Sequence, residues 1–300
     1  MYSSMVKAPS SNLQTILNMP ANRYCIKLGG ESGQGINTLG ILLSKAIKSI
    51  GYNIFSYREY PSLIKGGVAS YQIDLASKYI ASSSKSCHIL VILDPEAVHE
   101  YLHSLNANGI LLYDDKQVVF TQEEQDWIKQ NNVHTIYLDS QTIAINAGGS
   151  PIMSNIVMTS FLWKLLGFNP EDLTNIVKEI FASKGDDVIN KNILCLNAGY
   201  NASEFKNEYL QNTLIPEQLK QENSSKILTG NDAIALGAIS AGVRAYYGYP
   251  MTPATTIFKY LGNTYKETGI LIKQAESEIT AVQMALGSMA MGTRADQQRS

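Results

Sequence analysis

The residues best placed to do chemistry in this chain are Tyr249-Pro250-Met251-Thr252-Pro253 and Glu278. Thr is a good helix N-cap and Pro is favoured at the first helical position, so Thr252-Pro253 predicts a helix start. Pro250 biases Tyr249 away from the helical region. The product is a rigid turn at the positive end of a helix with two hydroxyls nearby, which suits the carboxylate or keto oxygen of a small acid. A plain capping role for Thr252 fits the same residues. Glu278 opens a stretch whose other members, Ala281, Ala285, Gly287, Ala290 and Gly292, are small and apolar. Such residues allow close backbone approach, so a carboxylate at that edge is partly desolvated. The alternative is that Glu276 or Glu278 only complements a helix dipole.

A second candidate is the loop Gly29-Gly30-Glu31-Ser32-Gly33-Gln34-Gly35, between a predicted strand and a predicted helix. Backbone N–H groups and a helix N-terminus favour an anion in that setting. The dinucleotide fingerprint wants a third glycine where Thr38 stands, and no Lys-Ser/Thr pair follows, so neither that motif nor a P-loop is matched. The loop then reads either as a tight turn with glycines at Gly30, Gly33 and Gly35 for backbone geometry, or as a surface facing a partner or an anionic substrate. Just downstream, Arg58-Glu59-Tyr60-Pro61-Ser62-Leu63-Ile64-Lys65-Gly66-Gly67 is expected as a polar loop between two strands. It reads as a binding loop on a rigid scaffold or as a solvated turn.

The elements that must position these residues follow from hydrophobic spacing. Tyr24 to Leu28 predicts a buried strand. In 36–50, Ile36, Leu39, Leu43, Ala46, Ile47 and Ile50 share one helical face, with Gly51 as the stop. Further strands are expected at 53–57, 68–75, 89–93, 110–113 and 134–138, with a helix opening at Asp94-Pro95. Alternating strand and helix argues for an open α/β sheet, at least partly parallel. From Pro151 to about Tyr209 the spacing is helical: 152–166, 171–182, and a long helix 187–209 with a weak spot at Gly199. Residues 210–225 are aperiodic and rich in Gln, Asn and Glu, and read as a linker. A second unit follows, with Asn231 as N-cap of a helix 234–241, Gly242 as its stop, a strand 243–247, a helix 253–261, a strand 270–274 and a helix 277–292. The expected domains are thus a disordered tail 1–22, an α/β domain 23–209, the linker and a second unit 226–300.

Composition narrows the function classes. At 300 residues, with 45% hydrophobic and 17% charged residues and a net charge of -2, the chain is long enough for two globular domains. Charges of both signs are dispersed, which argues against a nucleic-acid footprint or a basic membrane patch. No apolar run approaches the ~20 residues of a membrane helix. Cys25, Cys87 and Cys195 are far apart with no CxxC, which reads as buried reduced thiols in a cytoplasmic protein and argues against a zinc or iron–sulfur site held by this chain alone. Residues 1–20 lack the layout of a signal peptide.

The stretches Gly230-Asn231-Asp232-Ala233-Ile234-Ala235-Leu236-Gly237-Ala238, Gly248-Tyr249-Pro250-Met251-Thr252-Pro253 and Glu276-Ser277-Glu278-Ile279-Thr280-Ala281 resemble the pyrimidine-binding domain of 2-oxoacid:ferredoxin oxidoreductase alpha subunits. Gly30-Glu31-Ser32-Gly33-Gln34-Gly35-Ile36, the Arg58–Gly67 stretch, and Lys191-Asn192 with Ala198-Gly199-Tyr200 resemble the gamma domain fused ahead of it. That order of domains resembles the two-subunit type often assigned to 2-oxoglutarate. The resemblance implies oxidative decarboxylation of a 2-oxo acid with coenzyme A to acyl-CoA, carbon dioxide and reduced ferredoxin. It implies thiamine diphosphate shared with a beta subunit, which carries magnesium and a [4Fe–4S] cluster. Carried onto this chain, Glu278 is the partner of the aminopyrimidine N1′, and Tyr249 and Thr252 contact the substrate. Arg58, Lys65, Gly66 and Gly67 belong to a loop that faces coenzyme A or a partner. Family members usually have Ile where Met251 stands, a swap of similar volume.

The resemblance weakens after Gly292. Members continue with a Thr/Ser-Gly-Pro-Gly-like stretch and further α/β structure, whereas Ala295-Asp296-Gln297-Gln298-Arg299-Ser300 is polar and aperiodic. The expectation is a truncated alpha subunit, inactive alone, whose apolar helix 279–291 has little to bury against. Two other readings are a non-catalytic module that docks on partner subunits and a nicotinamide-binding domain.

Overall fold

Tyr-Cys-Ile-Lys-Leu alternates between two buried faces, and β1 (Arg23–Gly30) accordingly runs through the middle of a sheet, buried along all but its first residue. The computed structural model describes residues 23–31, 35–59, 67–114, 117–206, 226–251 and 254–297. The expected tail 1–22, Gly33, Lys65, Gly66, the linker 210–225, and Thr252 with Pro253 lie outside the described residues. Two compact units divide the chain, residues 1–223 and 224–300.

In the first unit β1 is followed by α1 (Ile36–Ser49), β2 (Asn53–Glu59), β3 (Ala69–Ala76), β4 (Cys87–Ile92), α2 (Glu96–Tyr101), β5 (Leu105–Tyr113), α3 (Gln122–Gln130), β6 (His134–Tyr137) and α4 (Ser140–Asn146). The strands form one sheet in the order β2-β3-β1-β4-β5-β6. β1, β4, β5 and β6 are parallel, and β3 runs antiparallel to both β1 and β2, so the sheet is partly parallel as expected. Ile26 and Leu28 meet Leu39, Leu43 and Ile47 of α1 on one face. Cys25 and Leu90 pack with Cys87, Val98 and Leu102 on the other. All three cysteines are buried and unpaired.

The α1 face is closed by α5 (Ser154–Leu165), α6 (Pro170–Phe181) and α7 (Asp186–Tyr200). Trp163 is fully buried, and its indole N–H donates to the Asn169 carbonyl at 2.7 Å, so the largest side chain of the core leaves no polar atom unsatisfied. Asn169 caps α6 and Pro170 takes its first position, one residue before the expected start at 171. The long helix expected over 187–209 ends instead at Tyr200. Gly199 is a packing residue and not a weak spot: a Cβ there would lie 2.4 Å from the Val157 carbonyl oxygen of α5.

Other sequence expectations need correction. Arg58 and Glu59 belong to β2, paired with Tyr71 and Ser70, and not to the loop that follows. α3 and α4 were not anticipated. β5 begins at Leu105 and not at Ile110.

The second unit contains α8 (Gly230–Ser240), β7 (Ala245–Gly248), α9 (Thr255–Thr268), β8 (Leu271–Gln274), α10 (Glu278–Ala290) and β9 (Ala295–Gln297). The cap of α8 is Thr229, in a reciprocal capping box with Asp232, and not Asn231. α9 starts at Thr255 and runs to Thr268, later and longer than the expected 253–261. The polar segment after Gly292 is not wholly irregular, since β9 pairs parallel with β7 on the side opposite β8. Tyr246 packs with α8 and α9 on one face of this sheet, and Ala245 and Tyr247 pack with Ala281 and Ala285 of α10 on the other. The outer face of α10 is exposed at Ile279, Leu286 and Met289, as is Met291 just after it.

Candidate functional site

The carboxyl end of β7 is where the candidate chemistry of the second unit gathers. β7 leads into the Tyr249 turn, and β8 leads through Ala275 and Ser277 to Glu278. The Ala275 N–H donates to the Gly248 carbonyl at 2.9 Å, so the segments that carry Tyr249 and Glu278 leave the sheet side by side. Tyr249 is half-buried, and its carbonyl accepts the Met251 N–H at 2.8 Å, which folds the turn tightly. Met251, where the family usually has Ile, is exposed. Thr252 cannot be placed in this arrangement because it lies outside the described residues.

Glu278 is the first residue of α10 and is half-buried. Ser277 caps the helix, its Oγ accepting the Thr280 N–H at 3.2 Å. α9 and α10 both begin at the carboxyl end of the strands they follow. α8 joins them there, since the Asn231 amide donates to Thr256 Oγ1 at 2.5 Å, linking the first turns of α8 and α9. Three helix N-termini therefore face one end of the sheet, an arrangement that favours negative charge. Glu278, on a segment tied to the one that carries Tyr249, has a carboxyl group able to share a proton with a ring nitrogen such as that of the thiamine diphosphate pyrimidine. Glu278 also lies where a carboxylate complements the dipole of α10.

In the first unit the described stems of the glycine loop and of residues 60–66 lie at one end of the sheet. β1 ends at Gly30, β2 at Glu59 and β4 at Ile92, and β3 begins at Ala69, all at one end of the sheet. Gly35 has φ +92°, a left-handed conformation that suits glycine, and a Cβ there would strike the Asn155 amide at 2.5 Å. Gly30 is the last residue of β1, paired with Ala69. Gly67 and Glu31 face Asp94, His99 and Glu100 across a cleft of about 540 Å³. Arg58 lies within β2 with its guanidinium carbon 5.7 Å from the centre of the Tyr71 ring.

Several residues around these loops were not singled out from the sequence. Buried Lys27 sits 3.3 Å from Glu59 and 4.2 Å over the Tyr101 ring. Ser70 donates to Glu59 at 2.5 Å, and the Tyr101 hydroxyl donates to the Val68 carbonyl at 3.2 Å. The stems on both sides of residues 60–66 are thus tied to β1 and α2. His99 Nδ1 lies 2.6 Å from Glu124, which also accepts the Thr121 N–H. Burial pushes the Glu124 carboxyl up, but the Thr121 N–H and His99 outweigh it and the net shift is downward. The Thr121-x-x-Glu124 capping signature was the one sequence signal for this pair. Among the described residues, no group of three or more His, Cys, Asp or Glu could hold a metal ion, and no helix is long and apolar enough to cross a membrane.

Comparison with known proteins adds independent findings. The profile of the family described as pyruvate ferredoxin/flavodoxin oxidoreductase matches residues 25–202. A profile described as the thiamine diphosphate-binding part of pyruvate flavodoxin/ferredoxin oxidoreductase matches residues 236–296. The 2-oxoacid:ferredoxin oxidoreductase subunit alpha of Sulfolobus sp is 28% identical over 319 residues, covering 89% of this chain and 48% of that protein. The 2-oxoglutarate oxidoreductase subunit KorA of Mycobacterium tuberculosis is 25% identical over 292 residues, covering 88% and 44%. The chain thus spans about half the length of the curated relatives it matches. In fold it is similar to the 2-oxoglutarate:ferredoxin oxidoreductase from Magnetococcus marinus, solved with 2-oxoglutarate, coenzyme A and succinyl-CoA bound. The TM-score is 0.78 at 23% identity, over 93% of this chain and 47% of that one. With a family profile covering more than half its length, the chain belongs to the pyruvate ferredoxin/flavodoxin oxidoreductase family.

Proposed function

We propose that the chain works as the alpha subunit of a 2-oxoacid:ferredoxin oxidoreductase, with 2-oxoglutarate as its substrate. Residues 23–209 act as the gamma-type domain, and residues 226–300 contribute the first part of the pyrimidine-binding domain. The observation that carries this reading is the Ala275–Gly248 hydrogen bond, which brings the segment leading to Tyr249 and the segment leading to the half-buried residue Glu278 side by side at the carboxyl end of β7 and β8. Alpha-subunit relatives across most of the chain support it, and the 2-oxoglutarate-linked relative supports the choice of substrate.

Thiamine diphosphate, when bound, supplies a nucleophilic carbon and an electron sink for decarboxylation of a 2-oxo acid. Glu278 holds a proton at the aminopyrimidine N1′ and so sets the tautomer of the ring. Tyr249 and Thr252 orient the substrate carboxylate and keto oxygen, aided by the positive helix ends around them. The overall reaction converts the 2-oxo acid and coenzyme A to acyl-CoA, carbon dioxide and a proton, and an electron pair passes to ferredoxin. A beta subunit would hold the diphosphate with magnesium, and the [4Fe–4S] cluster. The glycine loop at Gly30, Gly33 and Gly35 and the stretch with Arg58, Lys65, Gly66 and Gly67 face a partner or coenzyme A. The carboxylates of Glu31, Asp94, Glu96 and Glu100 in the adjoining cleft favour the partner, since they repel phosphate. Three buried unpaired thiols suit a reducing cytoplasm.

The test is co-expression with a candidate beta subunit, followed by assay of ferredoxin reduction with 2-oxoglutarate, pyruvate and 2-oxoisovalerate. The wild-type pair is expected to turn over 2-oxoglutarate best, and Glu278→Gln to assemble normally without turnover. Retained turnover in the variant overturns the role of Glu278, and a preference for pyruvate overturns the substrate. The exposed Ile279, Leu286, Met289 and Met291 favour a second reading, a docking module without chemistry. Assembly of the wild-type pair with no turnover of any oxo acid would select it.

A further inference from the structure

α10 carries Glu278 but is held to its sheet by little. Its fully buried face is made of Ala281 and Ala285, packed against Ala245 and Tyr247, with Met284 as the one long side chain of the helix, partly buried, against the same cluster. Gly287, in its last turn, has open space where a Cβ would stand. Such a face resists sliding and rolling weakly, because few side chains interlock across it.

Beyond the pairing of β9 with β7 that follows the helix, two hydrogen bonds from the end of β7 hold its segment directly. At the entry, the Ala275 N–H donates to the Gly248 carbonyl at 2.9 Å, three residues before Glu278. Near the exit, the Tyr247 hydroxyl and Ser288 Oγ lie 2.6 Å apart. Tyr247 is 7% exposed, so its hydroxyl needs a protein partner, and Ser288 provides it. The Ser288 carbonyl also accepts the Met291 and Thr293 N–H groups, so the bonded residue is the one that closes the helix. With both ends tied, the axis of α10 and its rotation about that axis are set. Both ties belong to residues next to Tyr249.

We infer that Tyr247 and Ser288 are positioning residues for Glu278, and that their bond fixes the direction in which its carboxylate points. This rests on the reading of Glu278 as the coenzyme partner. A helix with its side chains has a radius of about 5–6 Å, so a roll of about 10° carries a carboxylate at that radius through about 1 Å. A misplacement of that size lowers a rate by up to about a hundredfold.

The test uses the chain assembled with its beta subunit and freed of coenzyme. Thiamine diphosphate with magnesium is titrated calorimetrically into the wild type, Tyr247→Phe, Ser288→Ala, the double variant and Ser288→Thr. Tm and the ultraviolet circular-dichroism band of the bound aminopyrimidine are recorded on the same samples. Tyr247→Phe keeps the ring packing, and Ser288→Ala favours the helix locally, so neither threatens the fold. The expected result is an affinity loss of about three- to tenfold in each single variant, of the size of one lost hydrogen bond. The loss should be no larger in the double variant, the dichroism band should weaken in parallel, and Ser288→Thr should restore both. A lowered Tm with wild-type affinity and an unchanged band means a merely structural bond and overturns the inference, leaving the role of Glu278 intact. No coenzyme binding by the wild-type complex overturns both.

Discussion

Gly199→Ala tests how the helical layer of the first unit is built. The added Cβ would lie 2.4 Å from the Val157 oxygen, 2.9 Å from its Cα and 3.0 Å from its carbonyl carbon. All three are backbone atoms, so no rotamer change relieves the contact. Ordinary contact begins near 3.4 Å, so α5 and α7 must part by about 1 Å there. Overpacking of this kind costs about 1–3 kcal/mol. Replacing Gly by Ala in a helix returns at most about 1 kcal/mol, and less near a helix end. The net expectation is a loss of about 1–2 kcal/mol, or a Tm lower by roughly 2–8 °C for a unit of this size. Gly287→Ala is the matched control, because the added Cβ meets nothing within 4 Å. Only propensity acts there, and the transition of the second unit should rise by about 2–4 °C. Differential scanning calorimetry of both variants measures the two shifts. A Gly199→Ala variant as stable as wild type would refute the close helix–helix approach.

Further outcomes follow from the same geometry. The lowered Glu124 carboxyl contributes stability that is full above its unfolded value and is lost as pH falls through the folded one. Glu124→Gln should therefore flatten the acid limb of a urea-stability profile below about pH 5, and an unchanged limb would contradict the pairing with His99. Burial pushes His88 down against the opposing pull of Asp74, and its Nδ1 accepts the Cys25 N–H at 3.0 Å. Its depressed value means that stability falls as pH drops below about 6.5, an effect His88→Asn should remove; persistence of the slope in the variant counts against it. Thr229→Ala should cost about 1 kcal/mol through loss of the α8 cap, whereas Asn231→Ala loses the bond to Thr256 and leaves the cap in place. Equal effects on Tm and on amide exchange in the first turn of α8 would count against Thr229 as the cap.

Much of the fold was legible where burial imposes a period. Ile36, Leu39, Leu43 and Ile47 announce α1 because one face of it meets the sheet. α3 was missed because its residues are mostly polar, although Thr121 and Glu124 carry a capping signature. The same T-x-x-D pattern at Thr229 and Asp232 was passed over in favour of Asn231. β9 has no pattern of its own, and its pairing with β7 is a backbone event invisible in side-chain types. Gly199 looked like a weak spot because only tertiary packing brings Val157 against it. At the site, the residue types of Tyr249 and Glu278 were legible, but the bond between Ala275 and Gly248 that brings their flanking segments together was not. Tyr247 carried no signal, because a buried aromatic in a strand is ordinarily core.

The most direct measurement is a structure of the chain in complex with its beta subunit and thiamine diphosphate. The account predicts a Glu278 carboxylate oxygen about 2.6–3.2 Å from N1′ of the aminopyrimidine ring. A Glu278 side chain turned to solvent, or another residue in its place at N1′, would contradict it.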